Sequence, residues 1–246
     1  MRHLNAPLPA WKRSLDLLFC AAVFPVFTLV TLFMAVMVRL TSPGPVLFKQ
    51  ERIGLGGRRF KIYKFRTMHV AADTRSHQQH FTALMSSNAP MQKLDAKGDS
   101  RLIAGAWLIR ATGLDELPQI INVLRGEMSV VGPRPCIPYE YEHFTSEQRR
   151  RCESVPGLTG LWQVSGKNRT TVGEMLELDC EYGRRRSLWL DVSILGRTPG
   201  TLLGQVCDQM IRRYRPSRAS SFNPPAKATS HPALGATETA RFNLGR

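Results

Sequence analysis

The sequence is short of acidic residues. It carries 19 Asp and Glu against 34 Lys and Arg, which gives a formal charge of +15 over 246 residues. The shortage is greatest at the N-terminus, where residues 1–66 contain only Asp16 and Glu51. So basic a chain argues against a cationic partner. It predicts an anionic one: nucleic acid, a phosphorylated substrate or acidic lipid headgroups.

Cysteine motifs are missing as well. The five cysteines are scattered, odd in number and without a C-x-x-C pair. This argues against a disulfide framework or a structural zinc site and favours reduced cytosolic thiols. His77 and His80 stand three residues apart, but no Glu or Cys accompanies them at ligand spacing, so they form a weak metal candidate.

A cleavable signal peptide is absent, whereas a long apolar run is present. The run from Leu17 to Val38 has no charged residue and is long enough to span a bilayer, and no A-x-A site follows it. Pro25 breaks or kinks a helix there, and basic residues flank both ends. Two arrangements stay open from the residues. One is a re-entrant helix broken at Pro25, and the other is a kinked span with its N-terminus outside.

The rest of the chain predicts an α+β fold. After a membrane segment over residues 1–40, we expect one compact cytosolic domain over residues 41–215. Val46–Arg52 and Arg59–Phe65 read as strands joined by a glycine-rich turn, which predicts a small basic β-hairpin at the headgroup layer. The tail, residues 216–246, is rich in Pro, Ala, Ser and Thr and is predicted to be disordered.

Residues 69–100 are polar and predict a surface excursion that contains one short helix around Phe81, Leu84 and Met85. Amphipathic helices are predicted elsewhere from apolar residues at helical spacing. These are Leu102, Ala106 and Ile109; Met175, Leu178 and Tyr182; and Leu188, Val192 and Leu195.

Two adjacent carboxylates, Asp115 and Glu116, open the segment "DELPQIINVLRGEMSVVGPRP". Pro118 suits the first turn of a helix and Gly126 suits its end. The apolar spacing predicts a buried face made of Leu117, Ile120, Ile121, Leu124 and Met128. Asp115 and Glu116 therefore stand at the N-terminus of the predicted helix.

Two interpretations of this pair are open. One carboxylate is a helix cap and nothing more. Alternatively, one carboxylate attacks a phosphorus atom while its neighbour, which points in another direction, holds a magnesium ion. Arg134 follows between two prolines, and a guanidinium on so rigid a backbone suits bidentate phosphate recognition.

Four segments carry a family resemblance: "KFRTM" (64–68), "LDELPQIINVLRGEMSVVGPRP" (114–135), "PGLTGLWQVSGKN" (156–168) and "SLWLDVSIL" (187–195). In this order, after a membrane segment that contains a proline, they resemble the bacterial sugar transferases. These are the small polyprenyl-phosphate phosphoglycosyl transferases, and the resemblance covers the chain from about Lys12 to Thr201. The residue before Pro25 is Phe24, where the family has Ser.

The resemblance implies an enzyme that moves a hexose 1-phosphate from a UDP-sugar to undecaprenyl phosphate and releases UMP. It implies magnesium, a re-entrant helix, amphipathic interfacial helices in contact with membrane lipids, and bacterial inner-membrane localisation with the catalytic domain in the cytoplasm. It also implies a role in starting exopolysaccharide, capsule or O-antigen units. No nucleic acid is expected, and a homodimer is compatible with it. The competing hypothesis is a membrane-anchored polyanion-binding protein without catalysis.

The resemblance also implies roles for individual residues. Asp115 is the nucleophile that forms an acyl-phosphate with the sugar, and Glu116 helps to hold the metal. Further candidates are Arg134, Arg110, Lys64 and Arg66 for substrate phosphates and Asp191 for the metal. For Asp191, a purely structural role carries equal weight.

Overall fold

The computed structural model describes residues 8–69, 81–85, 87, 89–91, 101–103, 105–166 and 169–214, with residues 212–214 described by their backbone only. It mixes helices with short strands, which confirms the predicted α+β class. The α-helices are α1 (Ala10–Thr41), α2 (Ala106–Thr112), α3 (Ile120–Leu124), α4 (Pro138–Glu142), α5 (Leu161–Val164), α6 (Val172–Arg185) and α7 (Leu188–Tyr214). The strands are β1 (Leu47–Ile53), β2 (Arg59–Phe65), β3 (Ser129–Val131) and β4 (Gly157–Thr159), and 3-10 helices cover Leu55–Gly57, Leu114–Gln119 and Gln148–Glu153.

Strands β1 and β2 form the predicted hairpin. They pair antiparallel from Leu47 opposite Phe65 to Ile53 opposite Arg59. The glycine-rich connection turns through a short 3-10 helix in which Gly56 adopts a φ of 64°. A side chain is disfavoured at that angle, so the turn depends on glycine.

A second sheet is not predicted by the sequence analysis. Strands β3 and β4 pair in parallel, with Ser129 opposite Gly157 and Val131 opposite Thr159. The chains approach so closely beyond this pair that a Cβ on Gly132 would lie 2.3 Å from the carbonyl oxygen of Val155, and one on Gly160 would lie 2.3 Å from the carbonyl oxygen of Gly132. These glycines of the "VVGPRP" and "PGLTG" segments are therefore required by packing.

Helix α1 is continuous through Pro25, so the predicted break at this residue is not present. In the turn after the proline, the Thr28 hydroxyl donates to the carbonyl of Phe24 at 3.0 Å, and Thr31 donates to Phe27 at 2.7 Å. Such bonds to the carbonyl four residues back are typical of helices that bend without breaking.

One stripe of α1 contacts the domain along the whole helix. The buried residues on it are Lys12, Asp16, Cys20, Met34 and Val38, and Val23, Phe27 and Val30 pack against the same apolar clusters. The opposite face is apolar and exposed. By length and composition α1 could cross a membrane, and it is the one such helix found among the described residues.

Two predictions need correction. Helical spacing predicted a helix from Arg101, but α2 begins at Ala106, and Leu102 instead forms an isolated β-bridge with Met68. The segment 69–100 is not only a surface excursion, because Phe81 is buried against Phe144 in the core. The short helix is confirmed over 81–85. His77, His80 and the tail 216–246 lie outside the described residues.

Helices α6 and α7 confirm the predicted amphipathic segments as two separate helices. Asp191 and Ile194 are buried, whereas Leu188 and Val192 are each 43% exposed. Leu195 of the same pattern packs against the core cluster, so the apolar residues of α7 are divided between the core and the exposed surface.

The glycine contact can be tested by single substitution. Gly132→Ala should lower the free energy of unfolding by about 3 kcal/mol, because the added methyl group meets backbone atoms that cannot move aside. Gly196→Ala is the matched control, since its Cβ meets no atom within 4 Å on the exposed side of α7. It should raise stability by up to about 1 kcal/mol. Thermal unfolding in detergent measures both, and equal melting temperatures would contradict the close-packing account.

Candidate active site

The two adjacent carboxylates stand in a tight connection between two short helices. Helix α2 ends at Thr112, and Gly113, with a φ of 74°, turns the chain directly into the 3-10 helix Leu114–Gln119. Asp115 is buried at 7% exposure, whereas the Glu116 side chain is 48% exposed. Neighbours in the sequence thus face different surroundings, one in the protein and one at its surface.

The helix predicted after the pair is shorter than expected. Its first turn is 3-10, and α3 ends at Leu124, followed by Gly126 with a φ of 75°. Ile120, Val123 and Met128 are buried, but Leu124 is 46% exposed because the helix stops there. So short a helix supplies little dipole, and the site therefore depends on side chains rather than on a helix N-terminus.

Lys64 is the candidate cation that the structure brings to the pair. It projects from β2, and its Nζ lies 2.7 Å from Oε1 of Glu116. Hairpin and carboxylate pair are thereby joined at one point. Arg110, in the last turn of α2, donates to the Thr67 hydroxyl at 3.3 Å.

Arg66 is placed differently from Lys64. It is buried, and its guanidinium donates to the carbonyls of Pro43 at 2.5 Å and Ser42 at 2.8 Å. These contacts hold the turn that follows α1. The substrate role of Arg66 stays a prediction, and the contacts described give it a structural task.

The main chain of Arg134 is held from both sides. Its carbonyl accepts a hydrogen bond from Arg151 Nη2 at 2.7 Å, and its N–H donates to Asp179. Arg151 and Asp179 form a short buried ion pair with each other. The Arg134 side chain is 34% exposed and lies 3.8 Å from Glu140, so it is presented at the surface on a fixed backbone.

Arg52 holds this loop by a hydrogen bond and acts on Glu116 through its charge. It is buried in β1 and donates to the Pro135 carbonyl at 3.0 Å and to Gln50 at 2.7 Å. Burial, helped by the charge of Arg134, lowers the pKa of Arg52 to about 10, whereas Glu140 and Glu116 act in the opposite direction. Arg52 therefore remains a cation at neutral pH, within electrostatic reach of both Arg134 and Glu116.

Asp191 is fully buried in the first turn of α7. Its two oxygens accept from Lys12 Nζ at 2.5 Å and from the Tyr182 hydroxyl at 2.8 Å. Lys12 also donates to the Val131 carbonyl at 2.8 Å. Both oxygens are thus occupied by protein donors, which favours the structural role over the metal role. Among the described residues no three His, Cys, Asp or Glu side chains form a metal-binding group.

These features define a class of protein: an α+β domain on a long apolar helix, with a carboxylate pair among cations suited to phosphate groups. The chain belongs to the bacterial sugar transferase family, whose model matches residues 8–205. That membership places it among transferase enzymes.

Curated relatives agree with the family. The chain is 40% identical over 190 residues to the galactosyl transferase CpsE of Streptococcus agalactiae, which covers 75% of this chain and 40% of the relative. It is 38% identical over 200 residues to a UDP-glucose:undecaprenyl-phosphate glucose-1-phosphate transferase of Caulobacter vibrioides, a match that covers 78% of this chain and 69% of the relative. It is 35% identical over 189 residues to the exopolysaccharide production protein ExoY of Rhizobium meliloti, a match that covers 76% of this chain and 83% of the relative. The chain therefore spans less than half of the streptococcal relative.

Sequence reasoning missed the supporting residues. Arg52, Arg151 and Asp179 stand in no motif, and their partners are distant in sequence. Lys12 was noted only as a flanking charge. The one available signal was that charged residues recur inside otherwise apolar helical patterns, as Asp179 and Asp191 do.

The role of Asp191 can be decided by substitution. Asp191→Asn leaves the Lys12 ammonium buried without its counter-charge, so the free energy of unfolding should fall by about 3 kcal/mol. Replacing both partners, as in Lys12→Met with Asp191→Leu, should restore most of it. Glu181→Gln, which removes half of an exposed ion pair with Arg185, is the control and should cost less than about 1 kcal/mol. A metal ligand would behave otherwise: stability would hold while the magnesium requirement changed.

Proposed function

We propose that this enzyme transfers a hexose 1-phosphate from a UDP-sugar to undecaprenyl phosphate, through a covalent intermediate on Asp115. The observation that carries the proposal is the Asp115–Glu116 pair, one carboxylate buried and one half exposed and bound to Lys64. The names of the relatives support the substrates: two are described as acting with UDP-glucose and undecaprenyl phosphate. The reaction would begin an exopolysaccharide repeat unit, the process that ExoY is named for.

In the first step, a carboxylate oxygen of Asp115 attacks the β-phosphorus of the donor. A bond forms between that oxygen and the phosphorus, and the bond from the phosphorus to the oxygen bridging the two phosphates breaks. UMP leaves with this oxygen and its electron pair. Lys64 and Arg52 place positive charge near the pair, which favours approach of an anionic donor.

In the second step, a phosphate oxygen of undecaprenyl phosphate attacks the same phosphorus. The acyl-phosphate bond breaks, the Asp115 carboxylate is restored, and a lipid-linked diphosphate sugar is released. Attacking and leaving groups are anions throughout, so no general base is required. Taking the soluble donor and the lipid acceptor in turn lets a single surface serve both.

Glu116 fits the magnesium requirement of this proposal. Magnesium is held by one or two carboxylates together with substrate phosphates, and Glu116 offers carboxylate oxygens at the surface beside the nucleophile. When bound, the ion would neutralise the charge that develops on the diphosphate. Asp191 does not fit, because its oxygens are occupied in the interior.

The contacts of α1 support a helix that does not cross the bilayer. Lys12 and Val38 are both buried against the same domain, and 26 residues of helix separate them by about 39 Å. That exceeds the roughly 30 Å of the bilayer core, so a domain on one side could not contact both ends of an upright span. We therefore place the domain on one face of the membrane, the cytoplasmic face, as positive flanks favour.

The nucleophile assignment is tested by UMP release. Detergent-solubilised protein, undecaprenyl phosphate, magnesium and a panel of UDP-sugars should yield UMP with a hexose donor. Asp115→Asn should lower the rate at least about 1000-fold, because an amide cannot form the intermediate. Glu153→Gln, at an exposed site, is the matched control and should retain the wild-type rate. Normal turnover by Asp115→Asn would exclude the proposed intermediate.

The two-step order has its own test. Without undecaprenyl phosphate, wild-type protein should exchange labelled UMP into the UDP-sugar, because the first step is reversible and needs no acceptor. Asp115→Asn should show no exchange. If exchange requires the acceptor in the wild type, transfer is direct and the ping-pong order is wrong.

Arg134 is the candidate for the donor phosphates, and the Arg151–Asp179 pair holds its main chain. Acid should therefore weaken donor binding through this pair. Burial raises the pKa of Asp179 to about 6 from the ordinary 3.8, so the folded protein takes up a proton as the pH falls through about 6. Since the folded state gains this proton before the unfolded chain does, this protonation does not itself destabilise the fold. It removes the charge that holds Arg151 and the Arg134 main chain. Between pH 7.5 and 5.5 the donor KM should rise about four-fold.

The variant Asp179→Asn separates this effect from a general acid effect. Its donor KM should be high at both pH values, with kcat changed less than about two-fold. Asp208→Asn, an exposed carboxylate on α7, should keep the wild-type profile. A wild-type KM that does not depend on pH would contradict the role of the pair.

A further inference from the structure

Three consecutive arginines, Arg184 to Arg186, mark the junction between α6 and α7, and all three are exposed. The Arg185 side chain is 69% exposed and shares an ion pair with Glu181 on the surface. The local balance therefore stays positive. A surface ion pair contributes little to stability, so the fold does not account for three adjacent guanidinium groups here.

The residues that follow are apolar and equally exposed. Trp189 is 81% exposed, and Leu188 and Val192 are each 43% exposed. The outward side of α7 continues with Leu203, which is 67% exposed, and Ile211, which is 59% exposed. Asp191 and Ile194 lie on the opposite side of the helix, which packs against the core. The outward surface therefore does not contact the core, and its apolar residues indicate a partner of low polarity.

The junction lies where the apolar helix meets the domain. Asp191, in the first turn of α7, is bonded to Lys12 at the start of α1, and the charge of Arg186 acts on the same Lys12 ammonium. Six residues further along α1, Leu18 is 70% exposed. Basic, aromatic and aliphatic side chains thus adjoin the start of a helix long enough to cross a membrane.

The basic, aromatic and aliphatic side chains of this junction match the layers that a bilayer surface presents with increasing depth. Tryptophan prefers the headgroup level, aliphatic side chains lie below it, and arginine binds phosphate at it. We propose that Arg184–Arg186 and Trp189 form a binding surface for the anionic phospholipid headgroups of the bilayer. The proposal rests on the membrane placement given above and not on the catalytic chemistry.

The test follows Trp189 fluorescence in the full chain, with the signal of Trp189→Phe subtracted. Brominated phosphatidylglycerol or brominated phosphatidylcholine is titrated into detergent micelles that contain the protein. Each arginine near an anionic surface is worth about a five-fold preference. Arg184→Gln with Arg186→Gln should therefore lose about 25-fold of the preference for phosphatidylglycerol.

The control removes two arginines elsewhere. Arg149 and Arg150 are exposed on the 3-10 helix Gln148–Glu153, and their replacement by Gln should leave the preference within about two-fold of wild type.

Equal quenching by both lipids in the wild type, or an unchanged preference in the Arg184/Arg186 variant, would overturn the proposal. So would displacement of brominated phosphatidylglycerol by equimolar undecaprenyl phosphate, which would make this an acceptor site. Protection of Trp189 by a second copy, seen as a dimer without quenching, would also overturn it. Lipid preference is measured without turnover, so its outcome is independent of whether UMP is released.

Discussion

The structure depends on a buried ionic contact between the first turn of the apolar helix and the last long helix. Lys12 and Asp191 are almost fully buried, and both bond to the Tyr182 hydroxyl. Lys12 and Tyr182 each donate to the carbonyl of Val131. Removing two charges from water is costly, and a contact of this kind is worthwhile where it specifies one geometry. Here it connects α1, β3, α6 and α7 at one point, and so fixes the apolar helix to the frame that carries the site.

The site uses the same arrangement on a smaller scale. Its exposed groups, Glu116 and Arg134, are held by residues that are less exposed than they are. Lys64 reaches Glu116 from a hairpin strand, while Arg151 and Asp179 hold the main chain on either side of Arg134. The exposed groups are thereby kept in place before any substrate arrives, which lowers the entropy lost on binding.

The sequence predicted what depends on local pattern. The hairpin, the two C-terminal helices and the position of Asp115 and Glu116 between helices follow from periodicity and from Gly and Pro. It could not predict contacts between distant segments, such as Arg52 with Pro135 or Lys12 with Asp191. The parallel pairing of β3 with β4 was missed because each strand has three residues, too few to show a period. The spacing of apolar residues in α7 does not tell which of them contact the core, because a membrane surface and a protein core select the same apolar residues.

The close contact of Gly132 with the Val155–Gly157 segment has a consequence for how this fold can change. Two stretches more than twenty residues apart meet backbone to backbone, with no side chain between them that could be exchanged for another. Neighbouring substitutions cannot re-tune such a contact, so neither stretch can be varied or transplanted alone. Moving the Pro-Arg-Pro loop into another scaffold would require both stretches together. The contact therefore means that the two stretches must be kept together when the fold changes.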